Sequence, residues 1–183
     1  MRVELAAIEQ EFQSALARVH DLRARVPPEA WNRRLAPERW SPGECVAHLN
    51  LASAAMVPLV QAGIEEARRK GGPAPRRYRR GFMGWLVWKG LSEGRRFGTK
   101  TIPAWVPSGD RHPDQLVAEF ERWQTIVIDC VRAADGLPID KVKITSPIDA
   151  RVRYNVFAAL SIIARHQHRH LWQAEDAARL TGG

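Results

Sequence analysis

The chain has 183 residues, of which 45% are hydrophobic and 26% charged. This composition excludes a disordered chain and a collagen-like fibre, and the length suits a single domain over residues 1–183. The formal net charge of +8 permits an anionic partner but identifies none. The two cysteines show no CxxC spacing, and no segment resembles a signal peptide or a transmembrane helix, so we expect a cytoplasmic protein.

The first predicted helix runs from about Val3 to Val26, where Pro27 and Pro28 end it. Apolar residues recur in it at helical spacing, which predicts one face packed against a core. These residues are Leu5, Ile8, Phe12, Leu16, Val19, Leu22 and Val26.

The second predicted helix has a well-marked start at Ser41-Pro42-Gly43-Glu44 and continues towards Lys70. Serine at the N-cap, proline at the first helical position and glutamate at the third are typical of a capping box. Pro58 lies inside this helix, where it should kink the helix or remove one hydrogen bond.

A long connection, residues 71–112, follows this second helix. Its part 76–100 mixes arginine, lysine and aromatic residues and contains a short apolar helix candidate around Phe82 to Leu91. Such a mixture can bind single-stranded nucleic acid or a membrane surface. We favour the interpretation that it packs on the bundle or on a second subunit; a lid over a site is a further alternative.

The third predicted helix begins near Pro113 and ends before Gly136, and the fourth runs from about Val152 to Leu180. Residues 141–146 alternate in polarity and could form a short strand, but one such run makes no sheet. The expected fold is therefore all-α: a four-helix bundle, up-down-down-up or a related order, with a long crossover between its second and third helices.

Two histidines of the fourth helix, His166 and His170, carry the chemistry that this sequence suggests. Their i, i+4 spacing places both on one helix face, which also holds Ile163 and Ala177 and should point into the bundle. His168 lies roughly 200° from His166 around the helix and is expected to face solvent.

His48, on the inward side of the second helix, is the natural partner of this pair. Buried polar groups without partners cost roughly 1–3 kcal/mol each, so inward histidines need one another or a ligand. Three neutral imidazoles with no close fourth protein ligand describe an open divalent-metal site. The alternative, a hydrogen-bonded or surface histidine pair without metal, stays open on spacing alone.

Three further residues have two interpretations each. Glu44 could orient His48 through its other ring nitrogen, but the capping box explains it without metal, and we favour that explanation. Gln173 could hold a histidine tautomer or a metal-bound water, or could be a polar residue at the core edge. Cys45 could be a ligand or a reactive thiol, yet a small buried cysteine is the commoner case.

Two motifs resemble those of a known family. Trp40-Ser41-Pro42-Gly43-Glu44 followed by His48-Leu49 resembles the W-S-x-x-E-x-x-x-H-L signature of the DinB-like (YfiT-like) superfamily. The closing His166-x-x-x-His170-x-x-Gln173 resembles the second signature of that family, and residues 101–107 look similar too. The resemblance covers nearly the whole chain.

The resemblance implies a four-helix bundle, often a homodimer, with a three-histidine site for zinc or nickel held by His48, His166 and His170. Family members include thiol S-transferases and hydrolase-like enzymes. Our leading hypothesis is a metal-dependent enzyme that activates water or a low-molecular-weight thiol against a small-molecule substrate. The alternatives are a non-catalytic metal-binding or stress-response bundle and, less favoured, a basic nucleic-acid-associated protein.

Overall fold

The computed structural model describes residues 1–92, 102–109 and 111–180, and in them four long helices form a bundle. The predicted all-α class is therefore confirmed. In chain order the elements are α1 (Val3–Arg25), α2 (Pro28–Trp31), α3 (Pro42–Lys70), α4 (Gly81–Gly90), a 3₁₀ turn (Pro103–Trp105), α5 (Pro113–Ala133), β1 (Lys143–Thr145), β2 (Arg153–Asn155) and α6 (Val156–Leu180).

Helix α3 begins at the capping box that its sequence predicts. The Ser41 hydroxyl accepts from the Glu44 backbone N–H at 3.1 Å, and the Glu44 carboxylate accepts from the Ser41 N–H at 2.9 Å. Because Pro42 has no N–H, two of the three N–H groups that this helix start leaves without partners are thereby satisfied. The helix runs through Pro58 to Lys70 as one element, so the proline removes a backbone donor without ending it.

Side-chain contacts fix the direction of each long helix. Helix α1 is parallel to α6, because His168 contacts Glu11 and, further along both helices, Glu175 binds Arg18. The ion pairs between α1 and α5 run in the opposite order along the two helices, so these helices are antiparallel. Helix α3 is antiparallel to α6, since its early His48 lies beside His166 and its late Gly63 beside Val156. The bundle is therefore up-down-down-up, and its two parallel neighbours, α3 and α5, require the long crossover.

The last helix begins later than its sequence suggested, and the prediction of no sheet is wrong. Lys143–Thr145 and Arg153–Asn155 pair as antiparallel strands, with Ile144 opposite Tyr154. Both of these side chains are buried, which gives the hairpin a face on the bundle. Asn155 then starts α6, because its side-chain oxygen accepts from the Ala158 N–H at 2.8 Å.

The apolar stripes of the long helices meet in the core. Of the α1 stripe, six residues are buried and Leu16 is partly buried. Trp31 is fully buried, and its indole N–H donates to the Val26 carbonyl at 3.1 Å. A buried polar link also crosses the interior: Gln167 donates to the Gln124 side chain, which in turn donates to the Phe12 carbonyl, both at 2.8 Å.

The connection between α3 and α5 is only partly described. Helix α4 confirms the predicted short apolar helix and packs on α6 and β2. The predicted irregular chain after it falls largely on residues 93–101 and 110, which lie outside the described residues. Residues 102–109 contain the 3₁₀ turn.

Within the described residues, α3 is the one helix that is long and apolar enough to cross a membrane. The share of its most apolar window that is buried inside the bundle is 61%. Packing in a helical core therefore accounts for its composition.

The close approach of α3 to the start of α6 depends on Gly63. A Cβ added there would lie 2.4 Å from Cγ2 of Val156. Gly63→Ala is therefore expected to lower the free energy of unfolding by about 1–3 kcal/mol through overpacking, despite the better helix propensity of alanine. Gly90→Ala is the control, because nothing lies within 4 Å of its added Cβ. Urea unfolding of both variants measures the difference; equal stability would contradict the prediction.

Candidate metal centre

Three imidazoles from two antiparallel helices meet inside the bundle. His48 comes from the second turn of α3, and His166 and His170 come from successive turns of α6. One ligand nitrogen from each residue lies within 4.8 Å of the other two. The shortest approach is 3.2 Å, between the Nε2 atoms of His48 and His166. The structure therefore brings together the three residues that the sequence singled out.

The carbonyl of Trp105 fixes the tautomer of His48. Nδ1 of His48 lies 2.8 Å from that carbonyl oxygen, and since a carbonyl can only accept, Nδ1 carries the proton. Nε2 of a neutral His48 is then an unprotonated acceptor, aimed at His166. Such a hydrogen bond on the outer ring nitrogen is the usual way in which proteins orient a metal-ligating histidine.

Trp105 was not predicted as a site residue. It belongs to the 3₁₀ turn, which places its backbone oxygen over the second turn of α3. A hydrogen bond to a backbone oxygen does not depend on the type of the residue, so the residue type at position 105 could not predict it. Only the likeness of residues 101–107 to the DinB-like pattern pointed to this segment. The hydrogen bond itself requires the folded chain.

Burial keeps the three imidazoles neutral. It lowers the pKa of His48, although the Trp105 carbonyl partly opposes this. Burial, with smaller contributions from His48 and Arg169, lowers the pKa of His166 to about 3. The pKa of His170 is also well below its ordinary range, first through burial and then through the neighbouring His166 and His48. Neutral imidazole is the form that binds a metal.

The donor set fits a divalent metal ion. Two nitrogens bound at 2.0–2.1 Å to one tetrahedral ion are roughly 3.3 Å apart, close to the 3.2 Å between His48 and His166. Nδ1 of His170 is buried and has no hydrogen-bond partner among the described residues, so its lone pair could bind an ion. His166 and His170 are partly exposed, so the cluster keeps access to solvent.

Tryptophan rings line two sides of the cluster. The Trp40 ring lies 4.8 Å from the His48 ring and 5.8 Å from the His170 ring, and its plane is tilted by 30° from that of His170. The Trp105 ring lies 6.0 Å from His48 and 6.5 Å from His166. Trp40, which directly precedes the capping box of α3, therefore forms a wall of the candidate site.

Glu44 does not orient His48. Its carboxylate binds the Arg34 guanidinium and the Ser41 N–H. Nδ1 of His48, the ring nitrogen that the alternative interpretation assigned to Glu44, is hydrogen-bonded to the Trp105 carbonyl instead. Burial by itself would raise the pKa of Glu44, but Arg34 and Ser41 outweigh it and lower the pKa. The capping-box interpretation of Glu44 is confirmed.

His168 is not turned to solvent as predicted. Its Nδ1 lies 2.8 Å from the Arg18 guanidinium, and its Nε2 lies 3.0 Å from the Glu11 carbonyl. The prediction that His168 points away from His166 around the helix was right. The side of α6 opposite the histidine pair, however, packs against α1 instead of facing water. The pattern on one helix could not show which faces have neighbours.

Gln173 and Cys45 are the remaining two candidates. Gln173 follows His170 by one turn and raises its pKa slightly, against the larger effect of burial. Its role towards a metal-bound water stays a prediction. Cys45 is buried, and burial raises the pKa of its thiol to about 12, which matches a small core residue rather than a reactive thiol.

The metal-free protein is expected to lose stability in acid because of this cluster. The folded-state pKa of each imidazole lies below its ordinary value of 6.5, so the unfolded chain binds protons that the folded chain does not. The free energy of unfolding should therefore fall as pH decreases from about 6.5 towards 3 and should not depend on these groups above that range. Urea unfolding at several pH values, with chelator present, measures the slope. The same slope in a His48→Gln/His166→Gln/His170→Gln variant would contradict the assignment.

Comparison with known protein families gives a match over most of the chain. A family model described as the DinB superfamily matches residues 7–174, which include all three histidines and the capping box. No curated protein and no solved structure matches the chain.

Proposed function

The chain belongs to the DinB superfamily, and from this membership and the histidine cluster we propose that it is a metal-dependent enzyme. The proposed ligands are His48, His166 and His170, and the proposed ion is zinc or nickel. The reaction class is hydrolysis or thiol S-transfer on a small electrophilic substrate. The single observation that carries the proposal is the convergence of three ligand nitrogens within 4.8 Å.

The chain's own residues prepare the site in three ways. The Trp105 carbonyl holds the proton of His48 on Nδ1 and leaves Nε2 as a donor of its lone pair. Burial keeps His166 and His170 neutral, so that both can donate lone pairs near neutral pH. The rings of Trp40 and Trp105 exclude water from two sides and offer an apolar surface to a substrate. A bound divalent ion would supply Lewis acidity, which lowers the pKa of water or a thiol.

The nucleophile in this proposal comes from solution. The thiol of Cys45 is buried and has a pKa of about 12, which makes it a poor source of thiolate. The Glu44 carboxylate is engaged with Arg34 and the helix start, so it is not available as a general base. Water or a low-molecular-weight thiol therefore fits the site better than a protein nucleophile.

Elemental analysis of protein purified without a polyhistidine tag tests the metal first. About one equivalent of zinc or nickel is expected, with none in a His48→Ala/His166→Ala variant. Hydrolysis assays and thiol-transfer assays with several bacterial thiols and a reactive electrophile then test activity. A metal-loaded protein that is inactive in all of them would favour the non-catalytic metal-binding alternative, whereas absence of metal, unchanged on adding zinc or nickel, would remove the proposal.

Two features of the assembly also remain proposals. We propose one domain over residues 1–183, supported by the packing of α1 and α3 each against both α5 and α6. We also propose a homodimer, as the family resemblance implies, which analytical ultracentrifugation of the untagged protein would test.

A further inference from the structure

Helix α4 turns an apolar face outwards. The exposed fractions of its side chains are 76% for Phe82, 37% for Met83, 42% for Trp85 and 48% for Leu86. Phe82, Trp85 and Leu86 recur at helical spacing and form one stripe. A contiguous apolar patch of this kind on a protein surface usually marks an interaction site.

The opposite face holds α4 firmly on the bundle. Gly84 lies so close to α6 that an added Cβ would be 2.4 Å from the Cβ of Ala158. The ring of Trp88 lies under the Arg80 guanidinium at 4.3 Å and the Arg165 guanidinium at 4.0 Å. Because these contacts occupy the inner face, α4 cannot rotate to bury the outer one without losing them.

Basic residues flank the outward stripe, and Arg77 and Arg79 line a surface pocket together with Trp85. Residues 71–92 contain five arginines and lysines and no aspartate or glutamate. Arg76, Arg77, Arg79 and Lys89 are exposed, and the Lys89 ammonium lies 4.8 Å from the Trp85 ring centroid. Phenylalanine, tryptophan and leucine bordered by arginine and lysine are the composition of helices that lie in a membrane interface.

The basic charges indicate whether the outward stripe of α4 binds a second copy of the chain or an anionic surface. A symmetric dimer through this stripe would bring two identical basic borders together, because each subunit contributes the same patch. An anionic bilayer instead attracts these charges, by about fivefold in binding for each basic residue near the surface. The bilayer interface also accepts the apolar side chains of the stripe, which lie between these basic residues.

We propose that α4 docks the protein on an anionic lipid surface, with Phe82, Trp85 and Leu86 inserted at the level of the headgroups and the basic residues facing lipid phosphates. This surface lies outside the histidine cluster and does not depend on the proposed enzyme activity. Residues 93–101, which lie outside the described residues, are not needed for it.

Co-sedimentation of the full chain with vesicles tests the proposal. We expect binding to vesicles of 70% phosphatidylcholine and 30% phosphatidylglycerol, weakening as salt rises, and little binding to pure phosphatidylcholine. Phe82→Ser/Leu86→Ser should reduce the partition coefficient more than about tenfold, because two exposed apolar anchors are removed. Arg79→Gln/Lys89→Gln should reduce it by about fivefold for each charge.

A matched variant controls for a general loss of apolar surface. Leu35→Ser/Ile148→Ser changes two side chains that are 41% and 56% exposed elsewhere on the molecule, and it should bind vesicles like the unchanged chain. All of the substituted positions are exposed, so each variant is expected to fold, and circular dichroism checks this.

Two outcomes would overturn the proposal. One is the absence of binding to anionic vesicles, and another is equal loss of binding in the control variant. If vesicle binding is absent, and Phe82→Ser/Leu86→Ser converts a dimer to a monomer in sedimentation velocity or abolishes binding to a single-stranded oligonucleotide, the occupant of this face is a second copy or a nucleic acid instead.

Discussion

Zinc or nickel is expected to raise the Tm of the metal-free protein by about 5 to 11 °C when the free metal exceeds its Kd 100-fold. Binding to the folded state alone contributes about 2.7 kcal/mol at that excess. In a chain of 150–250 residues, each kcal/mol shifts the Tm by roughly 2–4 °C. Calorimetry of protein treated with a chelator and titrated with each metal measures the shift.

His166→Ala should remove most of this stabilisation. Loss of a group that merely orients a ligand weakens metal binding by about 10–100-fold, so loss of a ligand should weaken it by at least about 100-fold. His20→Ala is the control, because His20 lies on the exposed surface against Glu121, away from the cluster. If the metal-induced shift survived in His166→Ala or disappeared in His20→Ala, the ion would have to bind elsewhere.

Phe157→Ala is expected to lower the free energy of unfolding by about 3–5 kcal/mol, and the Tm by roughly 6–20 °C. Phe157 is 2% exposed at the start of α6. Its ring stacks on Tyr78 with centroids 5.4 Å apart, and the Arg80 guanidinium lies 5.5 Å from it. Truncation would leave a cavity in the core and would also remove part of the support for α4.

Phe82→Ala provides the contrast, since it makes the same chemical change on a ring that is 76% exposed. Its stability should stay within about 0.5 kcal/mol of the unchanged protein. Urea unfolding of the two variants compares buried and exposed phenylalanine in one structural neighbourhood. Equal losses in both would mean that Phe82 is buried in solution, for instance in a dimer.

Prediction from the sequence succeeded where a signal is local. The capping box at Ser41 and Glu44, the start of α5 at Pro113 and its end before Gly136 each depend on a few neighbouring residues, and the structure has them where they were expected. The i, i+4 pair His166 and His170 is likewise a property of one helix. The β1–β2 hairpin was missed because its second strand is three residues long and directly precedes a helix, so its alternation is too short to be recognised.

The sequence alone determined the number of long helices, their extent apart from the start of α6, and the residue types of the candidate centre, because helical periodicity and capping act within a few turns. Only the tertiary structure decided that His48 approaches His166 to 3.2 Å, and that the Trp105 carbonyl rather than Glu44 holds its other nitrogen. It also decided that His168 packs against α1 and that α4 leaves an apolar stripe outside. The physical reason is that the pattern of one segment shows which face can be buried, whereas its neighbours in space determine what that face meets.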